Sequence, residues 1–582
     1  MRLRSVVQLS QLGFTLDGTP VEIPIDDGET LLSVLRERLG VVTAKDGCAP
    51  QGQCGCCTVL VDGDARVACV TPAARVQGRV VTTLAGLDPA VSAALADALV
   101  ATGGSQCGFC TPGIIVRLAA LQAKGKTART DIERGLAAHL CRCTGWQPIF
   151  AATDFLSERG GNPHPGDQKS RLWAAAEARA GLESSGVQQV GTAVPMGDAG
   201  FADDTAPRDA LVAVPCPPGS TVETVTAAGA EWVLGETLDA ARRLAGKTQG
   251  RRTTVADTVP FALPDLPAGG VRLATSWVEP AYLEPDASWC VPDGTPAGPL
   301  ANGGAFGGKV ASIAAAAAAE LAAALARPVR VVFAREDVVR LGPKRPPIAG
   351  SAVAHDGRIE VRGVAAASLP VFATPYAVEL DVSWTAATVA GPPVSTALRA
   401  VGLAEQTVLV EGALDAAGWD RAALVEDDAR AAHVLLDTVA ATATGALAGA
   451  RVEIDATTGR ITGVRVRVDA GDPLDEVVLR SYATGAVHMA LGWVLTEAIA
   501  VDPVSGEVLD LTIRSFGIVR PQAMPPVEIE IVASTDAPRA AASDAVFAAA
   551  AAAAWNAVAR TDGERPERFP AVDARAARML RR

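Results

Sequence analysis

The stretch that decides the fold reads Cys107-Gly-Phe-Cys110-Thr-Pro-Gly113, answered downstream by Cys141-Arg-Cys143-Thr-Gly-Trp146. Two cysteine pairs at such spacing point to a metal cluster held by four thiolates. Thr111 and Pro112 mark a helix start, with Thr as N-cap and Pro at the first helical position, and that helix is expected to reach Gly125. Thr130-Asp-Ile-Glu133 has the form of a capping box opening a helix that ends near Cys141. Both pairs thus fall at helix ends, where N-terminal amides favour anionic sulfur. A zinc cage is the bland alternative, but a C-x-C pair is less usual in one.

Upstream stands a second group, Cys48-Ala-Pro-Gln-Gly-Gln-Cys54-Gly-Cys56-Cys57, with Cys69 twelve residues beyond. A plant-type [2Fe–2S] loop uses C-x4-C-x2-C and a distant fourth cysteine; here the first gap is five residues. Cys48, Cys54, Cys57 and Cys69 are the expected ligands, and Cys56 is spare. Gly52 and Gly55 allow the loop to fold closely around an inorganic core. Only Cys216 and Cys290 lie outside residues 48–143, and they read as small buried hydrophobes.

Working outward, residues 4–25 read as two strands about Asp17-Gly18, followed by a helix from Thr30 to Leu39 and a hairpin turning at Asp62-Gly63. From about Ala85 the pattern is helical. Residues 158–208 are rich in Gly, Pro, Asp and Ser and read as a linker into further domains, with a helix over Val310–Ala326 and strands at Pro328–Phe333 and Arg451–Asp455. A chain of 582 residues needs two to four cores. A net charge of -13 without a basic stripe argues against nucleic acid. No apolar run approaches the roughly 20 residues of a membrane span, and the first residues lack signal-peptide character, so a reducing, cytoplasmic setting is expected. The five histidines share no spacing.

The two cysteine groups, in this order over residues 3–157, resemble the xanthine oxidase/aldehyde oxidase family of molybdenum hydroxylases. Later segments are similar to it in pieces: Ala281-Tyr-Leu-Glu284-Pro285, Gly303-Gly304-Ala305-Phe306-Gly307-Gly308-Lys309, Ala397-Leu-Arg399 with Glu411, and Gly485 to Gly492 with Glu497. The resemblance implies an α+β chain: a β-grasp ferredoxin domain (1–80), a four-helix-bundle [2Fe–2S] domain (81–160), a linker (161–208), and two α+β molybdopterin-binding-type domains (209–345 and 346–582). It also implies molybdenum–molybdopterin beside the two clusters, with Gln106, Gly303, Gly304, Ala305, Phe306 and Gly307 against the cofactor and Arg399 orienting substrate.

Departures from the family pattern are equally specific. The part after the clusters is shorter than the family's, Tyr482 stands where a pterin-contacting glutamine is expected, and Arg539-Ala-Ala-Ala-Ser543-Asp544 replaces the glycine-rich loop with the catalytic glutamate. Asp544 occupies the base position, one methylene shorter, and reads first as a helix N-cap. Two functions follow. In the first, the chain is a flavin-free molybdenum hydroxylase that oxidises an N-heterocycle or aldehyde, its electrons leaving through both clusters to a flavoprotein subunit or another acceptor. In the second, it is an iron–sulfur electron-transfer subunit whose worn C-terminal part docks a complete molybdenum subunit. Both imply an oligomer.

Overall fold

The computed structural model describes residues 10–158, 171–184, 188–246, 248, 250, 259–298 and 304–581. The first sheet has five strands, β1 (Ser10–Leu16), β2 (Thr19–Ile25), β3 (Thr58–Val61), β4 (Asp64–Val67) and β5 (Val80–Thr82), ordered β2-β1-β5-β3-β4. Asp17 and Gly18 both take positive φ, which closes the β1–β2 turn at the Leu16–Thr19 pair. The Thr30 hydroxyl accepts from Ser33 N and starts the helical stretch over 31–38, whose Leu31, Leu32, Val34 and Leu35 fill the sheet's core. The mixed sheet, with β1 and β5 parallel, is the expected β-grasp.

Four helices follow: Pro89–Thr102, Thr111–Ala123, Arg129–Leu136 and Gln147–Glu158. Two expected boundaries move. Cys110, not Thr111, is the cap residue of the second helix, because the Thr111 hydroxyl is shared with Ser105 instead. The third helix starts at Arg129 without a side-chain cap and stops at Leu136, so Cys141 lies in the loop beyond it and not at its end. Positive φ at Gly145 and Trp146 then turns that loop into the fourth helix.

Among the described residues, the remaining chain builds three more sheets around long helices, Leu403–Ala417, Glu476–Leu495 and Ala542–Asp562. The helix expected over Val310–Ala326 occupies Ala314–Leu325. The strand Val271–Thr275 pairs with Ile348–His355, so one sheet bridges the division expected at 345/346. Ala542–Asp562 is 21 residues long and apolar enough to cross a membrane, which corrects the expectation that no run comes close. It is buried inside the fold, with Gly412 allowing the Trp555 ring to approach.

The segment read as a linker is also different. Trp173–Glu183 is a helix, and Ala176 and Ala180 press it against Val478 and Tyr482. Its small-residue face gives it a packing partner that composition alone does not reveal.

Candidate iron–sulfur relay and cofactor site

All eight expected ligand cysteines are buried, and all are free thiols. In the second group they pair across the two motifs. Cys107 Sγ lies 3.5 Å from Cys143 Sγ, and Cys110 meets Cys141. Two thiol pairs suit two irons, each taking two thiolates. Contact with Cys110, helped by the Thr144 hydroxyl at 3.2 Å, pulls the Cys141 thiol below its ordinary range and toward the anionic ligand form. In the first group Cys48 touches Cys54 and Cys69, and Cys69 touches Cys57. Backbone amides aim at the sulfurs: Gln53 N donates to Cys48 and Cys69 N to Cys57, at 3.3 and 3.4 Å. Such bonds favour the thiolate.

The two groups touch. Leu140 N, one residue before Cys141, donates 2.9 Å to the Cys54 carbonyl. A Cβ on Gly113 would sit 2.4 Å from Gly55 O and 3.0 Å from Cys56 O. That glycine is what lets the ferredoxin loop lie against the helix that follows Cys110. Cys56 is fully buried, its thiol resting against the Cys54 carbonyl at 3.8 Å.

The residues expected around a molybdenum cofactor also gather. Arg399 lies over the Phe306 ring at 4.8 Å, and Arg399 N donates to Phe306 O. Asp544 Oδ1 is 3.8 Å from Arg399 Nε. The Asp544 carboxylate does not cap its own helix; it accepts from Ala400 N at 3.0 Å, holding an alanine whose φ is +56°. Burial raises its carboxyl above the ordinary value, while Arg399 acts in the opposite sense. Lys309 Nζ pairs with Glu284 at 2.7 Å, joining the Ala281–Pro285 and glycine-rich segments. Gly303 lies outside the described residues.

The fit to the two kinds of group differs. Two sets of four buried thiols, paired and amide-supported, suit [2Fe–2S] clusters. The space around Arg399, where substrate is expected, is small. Phe306, Arg399, Arg345, Glu279, Arg142 and Glu497 enclose about 40 Å³, room for a few waters, whereas ligand pockets run to about 300–1,000 Å³. The described loop glycines face the protein itself: a Cβ would meet Cys107 at 2.4 Å from Gly304, the Ala397 carbonyl at 1.8 Å from Gly307, and the Tyr282 ring at 2.6 Å from Gly308. Gln106, expected against a cofactor, spends its amide on Cys143 O and Ser481 Oγ.

One element escaped the sequence reading. Arg142, inside the C-x-C pair, makes a bidentate bond to Glu497 at 2.6 Å on both arms, with both side chains buried. A charged residue between two buried ligands was the available signal, since such a charge needs a partner.

Three family models match: a 2Fe-2S iron-sulfur cluster binding domain over residues 14–85, a [2Fe-2S] binding domain over 83–154, and a molybdopterin cofactor-binding domain over 377–525. The xanthine dehydrogenase iron-sulfur-binding subunit of Escherichia coli O157:H7 is 42% identical over 139 residues, covering 23% of this chain and 86% of that protein. The nicotinate dehydrogenase small FeS subunit of Eubacterium barkeri is 33% identical over 153 residues, covering 26% and 97%. Among solved structures, the aldehyde oxidoreductase of Desulfovibrio gigas matches with a TM-score of 0.72 at 16% identity, over 98% of this chain and 100% of that one, a likeness of fold. With two [2Fe–2S] domains ahead of a molybdopterin-type domain, this chain belongs to the molybdenum hydroxylase family of xanthine dehydrogenases and aldehyde oxidoreductases.

Proposed function

We propose that this chain is a one-electron relay of a molybdenum-hydroxylase system, linking a separate molybdenum subunit to a flavoprotein subunit or another external acceptor. Cys107, Cys110, Cys141 and Cys143 are its inner ligand set; Cys48, Cys54, Cys57 and Cys69 are its outer one. When bound, each [2Fe–2S] cluster takes up and releases single electrons. The observation that carries this reading is the 2.9 Å hydrogen bond from Leu140 N to the Cys54 carbonyl, which ties a ligand segment of one set to a ligand of the other. Gly113 keeps the two segments in contact, and burial keeps water from both. The tight space at Arg399 supports a partner, and not this chain, as the source of the electrons. The likeness to proteins named as separate iron–sulfur subunits points the same way.

A second reading is favoured by one observation, the meeting of Phe306, Arg399 and Asp544. In it, the chain itself oxidises an N-heterocycle or aldehyde, with Arg399 orienting substrate and Asp544 as base. Exposure of the purified chain to xanthine, nicotinate and benzaldehyde, with visible absorbance followed under argon, separates the two. The relay predicts no bleaching by any substrate and full bleaching by dithionite. Bleaching by a substrate overturns it.

A further inference from the structure

We infer that residues 171–184 and 188–204 form a built-in plug that takes the place of a pterin between the helical cluster domain and the C-terminal body. The plug deepens the relay reading and rests on it for the source of electrons. Connecting segments normally run over the surface, because a buried loop must find partners for its polar groups. This one is buried only in part, and its partners include Tyr482 and Gln106, positions where a cofactor contact is expected.

The segment can be followed along its described parts. Arg171 grips Asp475 through two nitrogens at 2.6 and 2.8 Å and donates to Val100 O, bridging the body and the helical domain. The helix Trp173–Glu183 then lies on Val478 and Tyr482. Its Arg179 is fully buried and donates 2.7 Å to Arg539 O; Glu183, 6% exposed, accepts from Ser543 N at 2.8 Å; and Leu182 O accepts from Ala541 N. Residues 539–544 stand where the family has its catalytic loop, so the helix end is fastened to that stretch. Gln188, 4% exposed, accepts from the Tyr482 hydroxyl at 3.1 Å and donates to Gln106 O at 3.3 Å. Tyr482 and Gln106 are among the positions where cofactor contacts were expected. Beyond them, Val194 fills the space beside Gly108, and Gly197 O accepts from the buried Lys45.

The electrostatics agree with a permanent fill. Arg179 and Glu183 form a buried ion pair one helical turn apart. Buried charges are tolerated only when paired and hydrogen-bonded, and removing one partner is strongly destabilising. Withdrawing the helix would break Arg179 from Arg539 O and Glu183 from Ser543 N together. Ser543 Oγ and two Arg179 nitrogens are buried without partners.

The test uses the full chain co-expressed with pterin-assembly proteins. Pterin is released by acid oxidation and quantified by fluorescence, molybdenum is measured by mass spectrometry, and amide exchange is followed over 173–183 and 541–545. The plug predicts pterin and molybdenum below a tenth of the protein, with the Trp173–Glu183 amides exchanging as slowly as those of the core helix Glu476–Leu495. About one pterin per chain overturns the plug, whether or not a substrate bleaches the clusters; bleaching by substrate is what overturns the relay. Rapid exchange over 173–183 also overturns the plug, even without pterin. A Glu183→Gln variant is expected to speed exchange at Ser543 at least tenfold without loss of iron, and unchanged exchange there counts against the clamp.

Discussion

Replacing Gly485 by alanine is the sharpest probe of how the C-terminal body supports the inner cluster. Gly485 sits in the helix Glu476–Leu495, and a Cβ there would lie 1.8 Å from the carbonyl oxygen of Cys143. Ordinary contact begins near 3.4 Å, so helix and ligand loop must part by about 1.6 Å. The same movement strains the 2.9 Å bond from Gln106 to Cys143 O. Overpacking of this kind costs about 1–3 kcal/mol, and the weakened buried hydrogen bond about 1 kcal/mol more. Alanine returns up to about 1 kcal/mol of helix propensity, leaving a net loss of about 1–3 kcal/mol at the loop that carries Cys141 and Cys143. Iron analysis and electron paramagnetic resonance of the dithionite-reduced variant report the outcome. Iron is expected to fall from about four to about two per chain, with the signal of the inner cluster lost and that of the outer cluster intact. Full iron and two unchanged signals would refute the claim that this helix buttresses the ligand loop.

Cys56→Ser is expected to keep its full iron content whereas Cys54→Ser loses about half, which iron analysis of the pair checks; equal losses would make Cys56 a ligand. Burial, with Arg142 adding to it, holds the His488 imidazole down at about 3. A depressed histidine is neutral in the fold, so its contribution is complete above about 6.5 and is lost as pH falls toward 3. That gap corresponds to about 5 kcal/mol, and urea unfolding of wild type and His488→Leu across pH 4–7 should show the flatter slope in the variant. Parallel slopes would contradict the assignment. Gly181→Ala adds a methyl where nothing lies within 4 Å on the plug helix, so thermal unfolding should show a gain of about 0.5–1 kcal/mol. A loss there would mean the helix is packed more tightly on that side.

The two [2Fe–2S] domains were legible because their cysteines stand at local spacings: Cys107 with Cys110, Cys141 with Cys143, and the glycine-rich loop around Cys54. The β-grasp turn at Asp17-Gly18 was legible for the same reason, since positive φ selects its residues. Long-range partners were not. Asp544 read as either a cap or a base because both are local roles, yet its bond goes to Ala400, 144 residues away. Residues 171–204 read as a linker because Gly, Pro, Asp and Ser signal loops. Their packing is decided by Tyr482, Gln106 and Ser543, which the segment meets only in the fold. Thr130 shows the limit of a motif: the capping-box letters are present, but the helix begins one residue earlier and the hydroxyl caps nothing.

The central claim is that this chain carries two separate [2Fe–2S] clusters on eight cysteines and passes electrons between them. A redox titration followed by electron paramagnetic resonance, with iron and labile sulfide counted on the same sample, tests it most directly. The account predicts about four irons and four sulfides per chain and two distinct one-electron signals, with Cys57→Ser removing one and Cys143→Ser the other. A single signal, or zinc in place of iron at either set, would contradict it.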